Sequence, residues 1–416
     1  MILTAASGRY TDLKAAIDAV YAAGGGTVYI PAGTYNLGGS VTVRANVNLI
    51  GAGVGQTMLL TSGTSQLINL QGNGARTSGF SLISTNYDGG NGIKVGNYVD
   101  WRIDHCRIEG YGANMAGIYV SGGNCRGVID HNYIKNKPVS SLGYGVVVYG
   151  GGTYDANPAL GTANAVFIED NTFENCRHSV ASNNGARYVW RYNHVLKNVY
   201  GMPVDAHGGS YGSSVGSTCW EIYGNTIELP SGSWHQQAVQ PRGGTGVIFN
   251  NIISGYDYAV LFCVEDGMGG GSYPVKYQVH NAYVWNNGPL PIRATSYNNS
   301  TFYIKKDRDW FEYARPGYVP YQYPHPLTAE DQPQFPAGST KTATVPITII
   351  PAGLACRTRL RLGPAESNEV PFISTGTELV AELTITLPAA GTYPVEVELT
   401  CGEVELTTNL EPIVVE

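Results

Sequence analysis

Two short segments place an acid, an imidazole and a guanidinium at matching positions. One reads Val204-Asp205-Ala206-His207-Gly208 and the other Ala238-Val239-Gln240-Pro241-Arg242. If both are β-strands with Val204 and Val239 inward, Asp205 and Gln240 share one outward column, and His207 and Arg242 share the next. Stacked strands lie about 4.8 Å apart and alternate residues about 6.5 Å apart. Asp205, His207, Arg242, Gln240 and Asn183 then meet on one patch, and such a set suits an acidic sugar polymer. Arg242 pairs with a carboxylate. Arg242 lowers the pKa of His207 and Asp205 raises it, so His207 is expected to titrate near neutral pH as acid or base. Asp205, His207 and Arg242 are the candidate catalytic residues. Tyr119, Tyr149, Asn183, Gln240 and Arg293 lie on the same columns as candidate substrate-binding residues, with the tyrosines as surfaces for sugar rings. The structural alternative is a surface ladder of ion pairs and hydrogen bonds.

A second column stacks Asp104, Asp130 and Glu169, with Arg191 next and His105 and His131 alongside. Like charges on adjacent strands repel, so something must compensate. Calcium fits oxygen ligands of this kind. Pairing with Arg102, Arg107 and Arg191 is the plainer expectation.

A recurring segment positions both columns. It reads Val128-Ile129-Asp130-His131-Asn132-Tyr133-Ile134, and returns around Cys106, Asn171, Asn193, Asn225 and Asn251 at spacings of 22 to 39 residues. Each copy alternates apolar and polar residues, which is strand chemistry, and almost no helical pattern intervenes. Repeats of this length mark a solenoid. An Asn at a bend tolerates left-handed geometry and bonds the backbone around it. After each copy comes a further strand, with Ile93, Ile118, Val146, Val180, Val204, Val239, Val260 and Ile292 as its inward residues. The expected architecture is a parallel β-helix over about residues 25–315. At its start, Thr11 is expected to cap a helix with Leu13, Ile17, Val20 and Tyr21 on one face, ended by Gly24-Gly25-Gly26. This helix would cover the first coil.

Residues Asp12 to Ala23, followed by GGGTVYIPAGTY, resemble the start of the pectate-lyase-like superfamily of right-handed parallel β-helices. The resemblance covers residues 1–327. It implies the handedness and a set of possible activities: polysaccharide lyase, polygalacturonase-type hydrolase, epimerase or phage tailspike depolymerase. The paired-Asp pattern of the hydrolases is absent at the matching strand. The DPHD-type motif of alginate epimerases is partly echoed by Val204-Asp205-Ala206-His207-Gly208.

Composition changes near residue 327, after the Pro/Tyr segment 318–327, which leaves no room for a regular strand. Residues 330–416 hold 12 acids and 4 bases, against 20 and 21 in the rest, so the net charge of -7 comes from the tail. The tail alternates like strands around Val345, Leu383 and Val397. This points to a small β-sandwich over 328–416, which resembles the immunoglobulin-like modules appended to bacterial and phage surface proteins. Of seven Cys, Cys106 takes an Asn position and reads as a buried thiol, while Cys356 and Cys401 are placed to bridge the sandwich.

The fold expected is therefore all-β, with a capped parallel β-helix at 1–327 and a β-sandwich at 328–416. No basic cluster suggests nucleic acid, no apolar run suggests a membrane span, and no signal pattern opens the chain. The expected partner is a polysaccharide met as a secreted or cell- or virion-surface protein. Two classes of function stay open. One is a lyase or depolymerase of a uronic-acid polymer. The other is a non-catalytic fibre, spike or adhesin, with self-assembly into an oligomer.

Overall fold

The structure, a computed structural model, describes residues 1–61, 68–84, 92–110, 116–135, 143–197, 201–209, 215–230, 233, 236–265, 271–331, 334–335, 340–348, 355–362, 365–367, 370–373, 378–386, 391–401 and 404–415. The chain divides into two compact units, Met1–Leu327 and Thr328–Glu416.

In the first unit, three parallel sheets run the length of a stack of coils. Among the described residues the first sheet has twelve strands, from Ile2–Thr4 to Trp310–Phe311; the second has ten, from Val41–Arg44 to Ile292–Ala294; the third has nine, from Gly33–Asn36 to Ile252–Ser254. Each coil contributes a strand to each sheet in turn. The second sheet keeps the expected register: Ile93, Ile118, Val146, Val180, Val204, Val239, Val260 and Ile292 are consecutive partners. All but Ile292 are fully buried. These apolar columns fill the interior, with Trp101, Trp190 and Trp220 as its largest members. Trp101 and Trp220 each face a glycine on the next coil, Gly127 and Gly246. A Cβ at either glycine would lie 2.4 Å from the indole ring, so only glycine fits.

The Asn column is a continuous ladder at the corner between the first and third sheets. Asn132 donates from Nδ2 to Asn171 Oδ1 at 3.0 Å, and the same link runs through Asn193, Asn225, Asn251 and Asn287. Each Nδ2 of Asn132 to Asn225 also reaches its own coil's carbonyl two residues back, and each Oδ1 of Asn132 to Asn287 accepts a backbone N–H from the previous coil. The amides are thus satisfied in a site that excludes water, as burial demands. Cys106 occupies the rung before Asn132, buried, with its thiol pKa pushed up by burial.

Helix Tyr10–Ala22 packs against the opening strands through Leu13, Ala16, Ile17 and Val20. Two details differ from expectation. Arg9, not Thr11, stands at the N-cap, and it makes no side-chain cap bond. Tyr21 is 46% exposed, because the buried stripe at 13, 16, 17 and 20 leaves it on the flank, where the Arg44 guanidinium sits 5.0 Å from its ring.

The Pro/Tyr segment has a role that its composition did not reveal. No strand forms there; the chain runs as a strap over the outside of the first sheet. Its carbonyls at Tyr321, Gln322 and Leu327 accept from Arg191 and Arg102, and the His325 N–H donates to Glu169 at 2.8 Å. Beneath it lies a buried apolar patch including Phe167, Val189, Tyr223 and Phe249.

The described strands of the second unit pair mainly antiparallel, with 340–348 on 378–386 and 355–362 on 391–401. The register sets Cys356 opposite Cys401; their side chains, and so the expected bridge, lie outside the described residues.

Candidate functional site

The second sheet's outer face carries the candidate site. Strands 180–183, 204–206 and 237–241 bring Ala181, Asp205 and Gln240 into one column, as their pairing requires. Asp205 sits at the centre. Arg242 grips it with two parallel bonds, Nε to Oδ1 at 2.9 Å and Nη2 to Oδ2 at 2.5 Å. His207 Nε2 lies 2.8 Å from Oδ2 of the same carboxylate, and His178 Nε2 lies 3.6 Å from it. A fifth residue, Glu265, closes the cluster: Arg242 Nη1 donates to its Oε1 at 2.7 Å, and His207 Nδ1 lies 3.3 Å from its Oε2.

Glycines make this closeness feasible. Gly208 donates its N–H to Glu265 Oε2 at 3.0 Å, and a Cβ there would lie 2.8 Å from the Glu265 Cβ. Gly243, on the next coil, would with a Cβ meet the Gly208 Cα at 2.7 Å. Neither Glu265 nor His178 is among the residues expected from sequence. Glu265 lies beyond the end of its strand, and His178 lies just before one, so neither occupies a strand column.

The charges sort into distinct states. Burial opposes the charge on His207, yet the Asp205 carboxylate and the bonds to Asp205 and Glu265 outweigh it and raise its pKa to about 9. His178 goes the other way: burial dominates and lowers it to about 4 despite Asp205. Burial pushes Asp205 upward, but Arg242 and His207 hold it well below the usual carboxylate range. Glu265 is likewise lowered, its burial offset by His207 and Arg242.

This geometry corrects three expectations. Asp205 is fully buried rather than open to a ligand, because Arg242 and two imidazoles cover it. Arg242 already holds two carboxylates, so its role is to position them rather than to grip a substrate. His207 is a cation at neutral pH rather than a group poised to titrate there. At 28% side-chain exposure it is the most accessible of the cluster's five ionisable groups.

The remaining candidates line the same face. Asn183 neighbours Tyr149 on the preceding coil, and Tyr119 meets Tyr149 with ring centroids 5.6 Å apart. Asn183 Nδ2 and the Gln240 amide have no hydrogen-bond partner among the described residues. Arg293 is exposed, its guanidinium 4.2 Å above the Tyr258 ring. Tyr144, half-buried, stacks on His178 at 5.4 Å.

The calcium candidates have another fate. Arg76 holds Asp104 at 2.7 and 2.8 Å, Arg102 holds Asp130 at 2.6 and 2.9 Å, and Arg191 holds Glu169 at 2.5 and 2.7 Å. All three carboxylates are fully buried and neutralised by guanidinium groups. Arg107 pairs instead with Glu109, and Arg76 takes the place expected of it. His105 and His131 stack with centroids 4.9 Å apart, each bonded through Nδ1 to the Asp before it. No group of three or more potential metal ligands occurs among the described residues. No helix among them is long and apolar enough to cross a membrane.

No protein-family model matches the chain. Over 100 residues it is 38% identical to mannuronan C5-epimerase AlgE2 of Azotobacter vinelandii, a match covering 21% of this chain and 10% of that protein. Over 88 residues it is 34% identical to alginate lyase 7 of the same organism, covering 18% of this chain and 10% of that protein. The chain thus spans about a tenth of the length of these curated relatives. Among solved structures, the catalytic unit of a GH87 alpha-1,3-glucanase from Streptomyces thermodiastaticus matches with a TM-score of 0.47 at 19% identity, over 70% of this chain and 61% of that one. The sheet register makes residues 1–327 a parallel β-helix, and about a fifth of the chain is similar in sequence to a mannuronan C5-epimerase and an alginate lyase.

Proposed function

We propose that this protein acts on a uronic-acid-containing polysaccharide at the outer face of the second sheet, with His207 as its proton donor. The observation that carries the reading is the state of His207. Nδ1 faces Glu265, and Nε2 faces Asp205 with the Arg242 Nη2 also 2.5 Å away. The carboxylates outweigh burial and the guanidinium and raise the pKa to about 9, and part of the ring remains accessible. A uronate carboxylate arriving there meets a histidinium. Pairing with a cation draws charge out of that carboxylate and makes the adjacent C5–H bond easier to break. The C5 proton passes to solvent water on the open face, leaving its electron pair on C5 next to the carboxylate. In elimination that pair forms the C4–C5 double bond as the C4–O4 bond breaks and O4 takes a proton; in epimerisation C5 takes a proton from the opposite face. A histidinium serves either purpose. Asn183 and Gln240, one coil to each side, offer amide groups to sugar oxygens. Tyr149 and Tyr119 give a ring a flat surface. The relatives named for mannuronan and alginate favour a uronate over a neutral glucan. Such a substrate fits a secreted or surface protein.

Two assays on uronate polymers test the reading. An unsaturated product absorbing in the ultraviolet reports elimination; solvent deuterium appearing at C5 reports epimerisation. One signal is expected, and it should decline as pH rises through about 9, where His207 loses its proton. Silence in both assays, with binding retained, would favour the non-catalytic shaft instead.

A further inference from the structure

The column extends well beyond the cluster, and carries a cation on either side of it. Counting coils along the paired strands, the column reads Thr42, Asn69, Lys94, Tyr119, Val147, Ala181, Asp205, Gln240, Leu261, Arg293. Lys94 stands four coils before Asp205 and Arg293 three coils after it. At about 4.8 Å per coil, the two cations are roughly 34 Å apart along the stack.

Both are built alike. The Lys94 ammonium lies 5.9 Å from the Tyr119 ring centroid, and the Arg293 guanidinium 4.2 Å from that of Tyr258. An aromatic ring steadies a cation without neutralising it. Neither Lys94 nor Arg293 has a carboxylate partner among the described residues. This contrasts with Arg76, Arg102, Arg191 and Arg242, each tied to at least one carboxylate. The central cluster is internally balanced: Asp205 and Glu265 against Arg242 and the His207 cation. It offers one accessible cation to an anionic chain. The column's positive charge without a carboxylate partner among the described residues therefore lies at Lys94 and Arg293, on either side of the cluster.

We propose that Lys94 and Arg293 are distal anchors for a uronate chain lying along the stack, so that tight binding requires a chain long enough to reach both. This rests on the proposed uronate reading and adds a length requirement and two specificity-determining residues to it. Each anchor pairs with a carboxylate on a sugar several units from the reacting one. The Arg293 end binds by charge on Tyr258, and the Lys94 end by charge beside the Tyr119 and Tyr149 rings.

The test is calorimetric binding of a ladder of purified oligouronates, from the disaccharide upward, to the full chain carrying His207→Gln so that turnover does not consume the ligand. Affinity should climb with length until the chain spans both cations, then level off. Arg293→Gln and Lys94→Gln should each cut affinity for long chains by about tenfold, the scale of a lost charged contact, and leave the shortest chains unaffected. Equal losses at every length, or none at any length, would overturn the anchoring role while leaving the uronate reading intact. If no oligouronate binds wild-type protein at any length but a neutral glucan does, the uronate reading itself fails, and the anchors with it.

Discussion

The first and second sheets carry similar charged clusters and use them differently. On the first, Asp104, Asp130 and Glu169 are gripped by arginines and then roofed by the strap of residues 318–327. On the second, Asp205 and Glu265 are gripped by Arg242, no strap covers them among the described residues, and His207 remains part-exposed. Even the histidines diverge. His325, in the strap that roofs the first cluster, is lowered to about 4 by burial and Arg191, whereas His207 is raised to about 9. Exposure separates the two: the same residue types are closed over in the first cluster, while in the second the His207 side chain keeps 28% of its surface exposed.

The sharpest way to break this comparison is to remove one guanidinium from each cluster. Arg191→Ala leaves Glu169 unpaired beneath the strap and should cost about 3–5 kcal/mol of stability, read by denaturant unfolding of the whole chain. Arg242→Ala should cost a similar amount, since Asp205 is equally buried, and it should abolish activity as well. If Arg191→Ala unfolds at the wild-type midpoint, the strap does not enclose that cluster.

His207→Gln separates the two roles more finely. Turnover should fall at least ~100-fold, the usual size of a lost proton donor, together with a lower unfolding midpoint at neutral pH, because Asp205 and Glu265 lose a cationic partner. A large loss of stability without loss of turnover would make the second cluster structural, like the first.

A pH series sharpens the contrast further. A raised pKa makes His207 stabilising below about 6.5, and that contribution is lost as pH climbs to about 9. His178 and His325, both lowered to about 4, act oppositely: the unfolded chain takes up their protons first, so stability declines as pH drops from about 6.5 toward 4. Melting temperatures should peak between the two arms, and His207→Gln should flatten only the alkaline one.

The smallest effect is expected at the boundary of the units. Truncation after Leu327 retains the whole strap and should leave the β-helix cooperative, with its melting temperature within a few degrees of the full chain. Loss of a cooperative transition would mean that the two units fold as one.

The ladder and the inward columns were legible because they repeat: an Asn or a β-branched residue returns with the same neighbours at each coil. His105 and His131 were legible for the same reason. What stayed hidden does not repeat. Glu265 reaches the site from beyond its strand, through space opened by Gly208 and Gly243. His178 sits outside the column that was followed. The strap has no period at all, and its Pro/Tyr composition reads as a break in the chain; only its carbonyls on Arg191 show that it is part of the wall.

The Asn ladder has a direction. Every side-chain link from Asn132 to Asn287 donates the same way along the stack, so six amide dipoles add head to tail. That common ladder keeps one corner of each coil in line but sets no limit on what hangs between its rungs: consecutive rungs are 22 to 39 residues apart. Connections can lengthen or shorten while the reading frame of the stack stays in phase. A coil built this way is a chassis on which the walls around the second sheet are free to evolve, one insertion at a time, without displacing His207 from its two carboxylates.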